Sequence, residues 1–373
     1  MINQQRIINQ FIELVKIDSE TTKERKIADY LIDKFQQLQL DVKEDQTNQI
    51  TGHEAGNIIA CLKGTDNSIP AIYFTAHMDT VVPGAGIQPD IRDGVIYSDG
   101  TTILGADDKA GISAILELIH ILNENPIPHG DIYFVIMSGE ESGLVGSQQF
   151  DVSQLPVEYG YALDSDGEVG TIITAAPAQA KLYATIKGKA AHAGVNPEKG
   201  ISAISMTAKA ITNMPLGRID EETTANVGSF EGKGPTNVVC DQVLLIAEAR
   251  SLSKEKLDRQ VKSMCEALEE TASQMGGAVD IEVKPMYPNY KFTENDQVVQ
   301  VAMSAVNKAF GKSPLLKVSG GGSDANHLSG NGIPTVNLAV GYENIHTKNE
   351  RIGISDLTEV PTLLFEIIKE SAN

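Results

Sequence analysis

Apolar residues recur at every third or fourth position over residues 2–16 and about 22–39, which predicts two amphipathic helices. Asp18 or Ser19 is placed to cap the second. The pattern then shortens into runs rich in β-branched and aromatic residues at 57–62, 71–76 and 131–138. These runs are almost continuously apolar, so they read as strands buried on both faces. Between the last two lies DDKAGISAILELIHILNEN (107–125), a helix apolar on most sides. Strand, helix, strand in that order predicts a parallel sheet with helices over it. YGYALD (159–164) adds one more strand.

Near residue 178 the pattern changes. KLYATIKGKAAHAG alternates as a half-exposed strand does, and a helix follows at about 200–213. Strands near 224–230 and 240–250, a helix at about 254–275 and a strand in AVDIEVKPMYP complete the segment. The order β-α-β-β-α-β predicts a small ferredoxin-like α+β domain with an open antiparallel sheet. After Tyr290 the α/β character returns, with a helix near 296–310, a strand in PTVNLAV (334–340) and a last helix from about 356. The expected organisation is therefore a discontinuous α/β domain, 1–177 and 288–373, with 178–287 inserted into it. Its sheet is mixed, mainly parallel, between helices.

Charge narrows the partners. The formal net charge is −20, and so acidic a surface repels phosphate backbones and anionic lipids. Neither nucleic acid nor membrane is expected as a partner. Three cysteines, Cys61, Cys240 and Cys265, give neither a disulfide framework nor a paired thiolate motif, which points to the cytoplasm. The N-terminal stretch reads as a surface helix rather than a leader.

Candidate chemistry lies where strands end, because ligands of open α/β sheets collect at the carboxyl ends of the strands. IYFTAHMDTV runs straight into His77 and Asp79. GADDKAG opens its helix with Asp107 and Asp108. IYFVIMS ends in Gly139-Glu140-Glu141-Ser142-Gly143. YGYAL ends at Asp164, and His346 follows PTVNLAV in HTKNE. Each has a plain reading alone: a surface histidine, a helix cap, a solvated turn. Together they bring two imidazoles and several carboxylates to one sheet edge, a donor set suited to zinc and related divalent ions. A carboxylate bridging two ions would make a two-metal site, and a further carboxylate would move the proton. Of the other histidines, His120 reads as packed core, His53 and His129 as solvated loop residues, and His327 as a residue that could face the cleft.

HMDTV, GADDKAG, GEESG and the late histidine together resemble the M20 metallopeptidases, the dinuclear zinc aminoacylase and carboxypeptidase group, over essentially the whole chain. The peptidase T (tripeptide aminopeptidase) branch is similar in having aspartate at 164 and the closing HTKNE. The resemblance implies a zinc-exopeptidase-like catalytic domain and an inserted lid and dimerisation domain. It implies two Zn2+ ions, with Co2+ or Mn2+ as substitutes: His77 and Asp164 on one, Glu141 and His346 on the other, and Asp107 bridging. Glu140 would be the general base. Asp79 would hydrogen-bond His77 and fix its tautomer. A cis peptide would join Asp107 to Asp108. His192 would hold the oxyanion, Asn226 and Asn237 would contact substrate, and Arg250 would bind a substrate carboxylate. A homodimer through the lid is implied as well.

The run Gly320-Gly321-Gly322-Ser323-Asp324-Ala325 departs from that branch, which carries an arginine where Gly320 stands. Here it is similar to the glycine loop of glutamate carboxypeptidases in the same family. Gly321, Gly322 and Ser323 are expected to touch substrate through backbone that a side chain would keep away. The expected activity is removal of residues from short peptides by a peptidase T-like aminopeptidase. Carboxypeptidase action or hydrolysis of N-acyl amino acids stands as the alternative, and a metal-binding scaffold as the non-enzymatic one. A Ser or Cys hydrolase does not fit, since no G-x-S-x-G elbow occurs.

Overall fold

The computed structural model describes residues 2–372. The chain divides into two compact units. The first comprises Met1–Ala175, Lys291–Ser319 and Ser323–Asn373; the second comprises Ala176–Tyr290 with Gly320–Gly322.

The first unit is built on a large mixed sheet. Four strands at its centre, in the order Ile132–Met137, Ile72–His77, Tyr159–Ser165 and Thr335–Ala339, are mutually parallel. Ile58–Leu62 and Asp41–Glu44 extend one edge antiparallel. The central strands are apolar throughout because both their faces are covered: all six residues of Ile72–His77 are buried. Their side chains alternate between two cores. Ile72, Phe74 and Ala76 pack with the helices Gln4–Val15, Arg25–Gln37, Ala106–Glu124, Gln297–Phe310 and Ile354–Ser371. Tyr73 points to the other side, with Ile59, Val135, Phe150 and Leu328.

A row of aromatic rings ties the strands to one another and to a helix. Phe35, Phe134, Phe74 and Tyr161 stack in sequence, with centroids 6.5, 6.3 and 5.8 Å apart. Phe74 faces Phe134 on one neighbouring strand and Tyr161 on the other. Cross-strand aromatic pairs of this kind add to the area they bury and fix register. In a parallel sheet a shift of register would move every strand end, so this row also sets where the polar termini lie.

The second unit is a five-stranded antiparallel sheet in the order Gly217–Arg218, Thr223–Glu231, Gln242–Ser251, Ala178–Lys187, Ala278–Tyr287. The helices Ala203–Asn213 and Lys254–Gln274 cover one face. Burial alternates along Gln242–Ser251, as a sheet covered on one side requires. On its other face Leu244 and Ile246 are 50% and 40% exposed.

Some elements differ from expectation. The second helix starts at Arg25, well after Asp18 and Ser19. Those two residues are engaged elsewhere: Asp18 accepts the amide of Gly86, and the Ser19 carbonyl accepts the amide of Thr80. Asp41–Glu44, Thr171–Ala176, Leu315–Val318 and a small sheet formed by Asp90–Arg92, Val95–Tyr97, Tyr342–Glu343 and Arg351–Gly353 are further strands. Most are short or lie at edges, where the apolar period is too brief to read, but Thr171–Ala176 is a six-residue buried strand inside the sheet that the sequence reading passed over. Among the described residues no helix is long and apolar enough to cross a membrane.

Phe74→Ala is expected to lower stability by about 3–5 kcal/mol in denaturant titration, because it empties the middle of the aromatic row. A loss below about 1 kcal/mol would mean the row does not carry the sheet.

Candidate metal centre

The four parallel strands deliver their carboxyl ends to one edge, and the polar residues named above meet there. His77 is the last residue of its strand. Asp107 stands at the start of the buried helix Ala106–Glu124, and a cis peptide joins it to Asp108. Glu140 and Glu141 occupy the turn after Ile132–Met137, Asp164 is the penultimate residue of Tyr159–Ser165, and His346 lies beyond Thr335–Ala339 in a left-handed conformation (φ 60°).

Asp107 is central. Its Oδ1 lies 3.0 Å from Nε2 of His77, and its Oδ2 lies 3.2 Å from Nε2 of His346. His346 Nε2 is also 2.9 Å from Oε1 of Glu141, and His77 Nε2 is 3.8 Å from Oδ1 of Asp164. Among the described residues, three donor groups each lie within 4.8 Å of one another: His77, Asp107 and Asp164; Asp107, Glu141 and His346; and His77, Glu140 and Glu141.

The surroundings hold these groups in place. Tyr342 donates to Asp164 Oδ1 at 3.0 Å, and Asn337 Oδ1 accepts the Asp164 amide at 2.8 Å. Asn337 also donates to Ser323 Oγ, which joins the buried Ser323 to the Asp164 strand. The Nδ1–H of His77 donates to the backbone carbonyl of Asp79 at 3.0 Å. The expectation that the Asp79 carboxylate fixes His77 is therefore corrected. That carboxylate stands 3.5 Å from Nδ1 and instead accepts the amides of Glu140 at 3.0 Å and Glu141 at 3.2 Å. Asp79 thus serves the site twice, its backbone carbonyl through the imidazole and its carboxylate through the turn.

The electrostatics are unbalanced. Burial, then the Asp107 charge, push the Asp164 carboxyl well above its ordinary range, and burial, then Asp164, do the same to Glu140. Burial also opposes ionisation of Asp107, but hydrogen bonds from His346 and His77 outweigh it and hold this carboxyl low. The bonds to Asp107 and Glu141 raise His346 to about 10. Two imidazoles thus cannot neutralise the carboxylates gathered here, and some carboxyls are driven toward their protonated form. A divalent cation in each Asp107-containing group would supply the missing charge and meet oxygen and nitrogen donors of the kind it prefers. The residues fit a pair of metal ions on both grounds.

Two supporting residues were not anticipated. Glu350, buried, accepts the amides of Leu104, Gly105 and Asp107 at 2.8, 2.8 and 3.0 Å. It therefore ties the loop that presents Asp107 to the segment that carries His346. Its place in HTKNE, four residues after His346, was the available signal. His53, expected to be solvated, is buried, with Nδ1 2.7 Å from Oε1 of Glu24. His129 is also buried rather than solvated, with Nδ1 donating to the Gly130 carbonyl, whereas His120 is half-buried rather than packed core. His327 is buried in the helix Asp324–Gly330.

The remaining candidates lie in the second unit. His192, Asn226 and Asn237 are exposed there. Nδ1 of His192 accepts the Gly194 amide. Arg250 is paired side-on with Glu248, through Nε at 2.9 Å and Nη2 at 3.2 Å, and donates to the Gly320 carbonyl at 3.3 Å. Gly322 lies flat on Tyr287, where a Cβ would stand 2.4 Å from the ring, so packing alone requires a glycine there. Gly320 and Gly321 belong to the same unit, while Ser323 belongs to the first.

Residues 73–370 match the model of peptidase family M20/M25/M40. The chain is 30% identical to a peptidase T of Clostridium perfringens over 98% of both chains. It is 57% identical to the solved structure of an aminopeptidase PepT from Bacillus cereus, with TM-score 0.94 and full coverage of both chains. A tripeptidase structure from Staphylococcus aureus is 47% identical, with TM-score 0.96, over 100% of this chain and 99% of that one.

Glu350→Gln should destabilise the protein by about 1–3 kcal/mol, since an amide cannot accept all three backbone donors and leaves one buried and unpaired. Denaturant titration measures this, and unchanged stability would contradict the bracing role.

Proposed function

This chain belongs to the M20/M25/M40 peptidase family and is a hydrolase; we propose that it is a two-zinc aminopeptidase that removes the N-terminal residue of short peptides, tripeptides in particular. The observation that carries this reading is the Asp107 carboxylate between His77 and His346, one oxygen toward each. The similarity to aminopeptidase and tripeptidase structures supports the substrate class.

In this reading His77 and Asp164 would hold one ion, Glu141 and His346 the other, and Asp107 would serve both. The pair, zinc or in its place Co2+ or Mn2+, would supply Lewis acidity toward the scissile carbonyl and the attacking water. Glu140 is the general base. Its carboxylate takes a proton from the attacking water and returns it to the leaving amine nitrogen as the carbon–nitrogen bond breaks. Asp79 keeps His77 oriented and holds the turn that carries Glu140. The second unit acts as a lid, with His192 holding the oxyanion and Asn226, Asn237, Arg250, Gly321 and Gly322, together with Ser323, holding the peptide. Its outer sheet face, with exposed Leu244 and Ile246, supports a homodimer through this unit. The acidic surface and sparse cysteines support a cytoplasmic enzyme without nucleic-acid or membrane partners.

One observation favours a second reading, carboxypeptidase action or hydrolysis of N-acyl amino acids. Gly320 offers no cation where the tripeptidase branch carries one, and Arg250 already has a carboxylate partner in Glu248. A site arranged so lacks a second grip on the carboxylate of a tripeptide and is less strictly limited to substrates of that length.

The test compares a free tripeptide, its N-acetyl form and a dipeptide, each with and without chelator, using zinc-loaded protein. Chelator-sensitive cleavage of the free tripeptide alone is expected. Cleavage of the acetylated form would favour the second reading. Glu140→Gln should retain metal and lose about 10²–10⁴ in kcat, the range of general base catalysis. Turnover retained in that variant would sink the mechanism.

A further inference from the structure

The turn that carries Glu140 and Glu141 is held from two sides, and only one of them belongs to the site described above. Asp79 grips its first half through the amides of Glu140 and Glu141. Its second half meets a chain of side chains that begins near the N-terminus. Glu24, fully buried, accepts Nδ1–H of His53 at 2.7 Å and the amide of Thr22 at 2.9 Å. The His53 ring is 8% exposed. With Nδ1–H given to Glu24, Nε2 lies 3.3 Å from Oγ of Ser142, whose one hydroxyl proton can go to that nitrogen or to the Gly139 carbonyl 3.0 Å away.

The ring also fills the space beside Gly139. A Cβ there would stand 2.4 Å from Cε1 and 2.8 Å from Nδ1 of His53, and Gly139 has φ 64°. The turn is therefore shaped around the imidazole: it needs a residue free of Cβ and tolerant of the left-handed region. A carboxylate–imidazole pair placed against a metal ligand would be unremarkable, but His53 stands outside every donor group described above. It reaches the turn only through Ser142 and Gly139, which flank the two glutamates.

We infer that His53, anchored by Glu24, is a positioning residue for the general base. It holds residues 139–142 in the one conformation that presents the Glu140 carboxylate, working through the Ser142 hydroxyl rather than on substrate. The inference rests on the reading of Glu140 as base. Its physical reason is that a base displaced by a fraction of an ångström loses much of its effect, while ground-state binding of the peptide is untouched.

The experiment uses full-length, zinc-loaded enzyme with the free tripeptide. The variants are Ser142→Ala, His53→Asn, the double variant, and Glu140→Gln as reference. Asparagine keeps a donor to Glu24 but is too short to reach Ser142. Each single variant should lower kcat about tenfold, the size of one lost orienting hydrogen bond. KM should stay within about twofold and bound metal should be unchanged. The double variant should lose no more than either single one, since both cut the same contact. Ser142 is exposed, so its truncation leaves folding intact and the test decisive even if His53→Asn is unstable. Wild-type kcat in Ser142→Ala would overturn the inference. So would losses in metal content or KM, or losses that multiply in the double variant. Turnover that survives Glu140→Gln would instead overturn the reading of the base itself.

Discussion

Four carboxylates and two imidazoles meet at the ends of four parallel strands, and their mutual repulsion is the constraint around which this structure is arranged. Taken alone, the sheet has no use for them: apolar residues would pack its upper edge better. Burial and like charge push Asp164 and Glu140 toward protonation, while hydrogen bonds from His346 and His77 hold Asp107 low. Such an arrangement persists because the fold holds it from beneath. Asn337 and Tyr342 grip Asp164, the Asp79 carbonyl grips His77, Glu350 grips the loop before Asp107, and the Asp79 carboxylate grips the turn before Glu140. Most of these contacts join a backbone amide or carbonyl to a side chain distant in sequence. The turns and loops that carry several of these groups are thus tied back to the sheet and to distant side chains, which is what a preorganised site requires.

The same layout separates tasks among neighbouring acids. Asp107 faces both imidazoles, Glu141 faces His346, and Glu140 lies beside them without entering either Asp107-centred group. In the proposed mechanism one turn thus supplies a ligand and a proton carrier in adjacent residues. The division depends on backbone conformation more than on residue type, since two glutamates are chemically alike. On that reading the supports on either side of the turn, Asp79 and the Glu24–His53 pair, share in placing the glutamates.

Much of this was legible in the sequence. The apolar runs before His77, Gly139 and Asp164 marked parallel strands, and ligand sites lie at the ends of such strands. The inserted βαββαβ segment was legible because each strand and helix has its own period. What escaped was tertiary. Nothing in the pattern distinguishes the Asp79 carbonyl from its carboxylate as the partner of His77. His53 stands between Gly52 and Glu54, in a stretch that reads as solvated, and only the fold brings it under the Ser142 turn. Asp18 and Ser19 look like helix caps because capping is a local preference, yet long-range bonds to Gly86 and Thr80 claim them. Gly320–Gly322 group with a unit remote in sequence, which no local period can reveal.

The central claim is that Asp107 serves two cations at once. Its most direct test is the metal content of the protein after equilibrium dialysis against zinc, for the wild-type chain and for Asp107→Ala. The account expects two ions per wild-type chain and at most one, weakly held, in the variant. Two tightly bound ions in Asp107→Ala, or none in the wild-type protein, would contradict it.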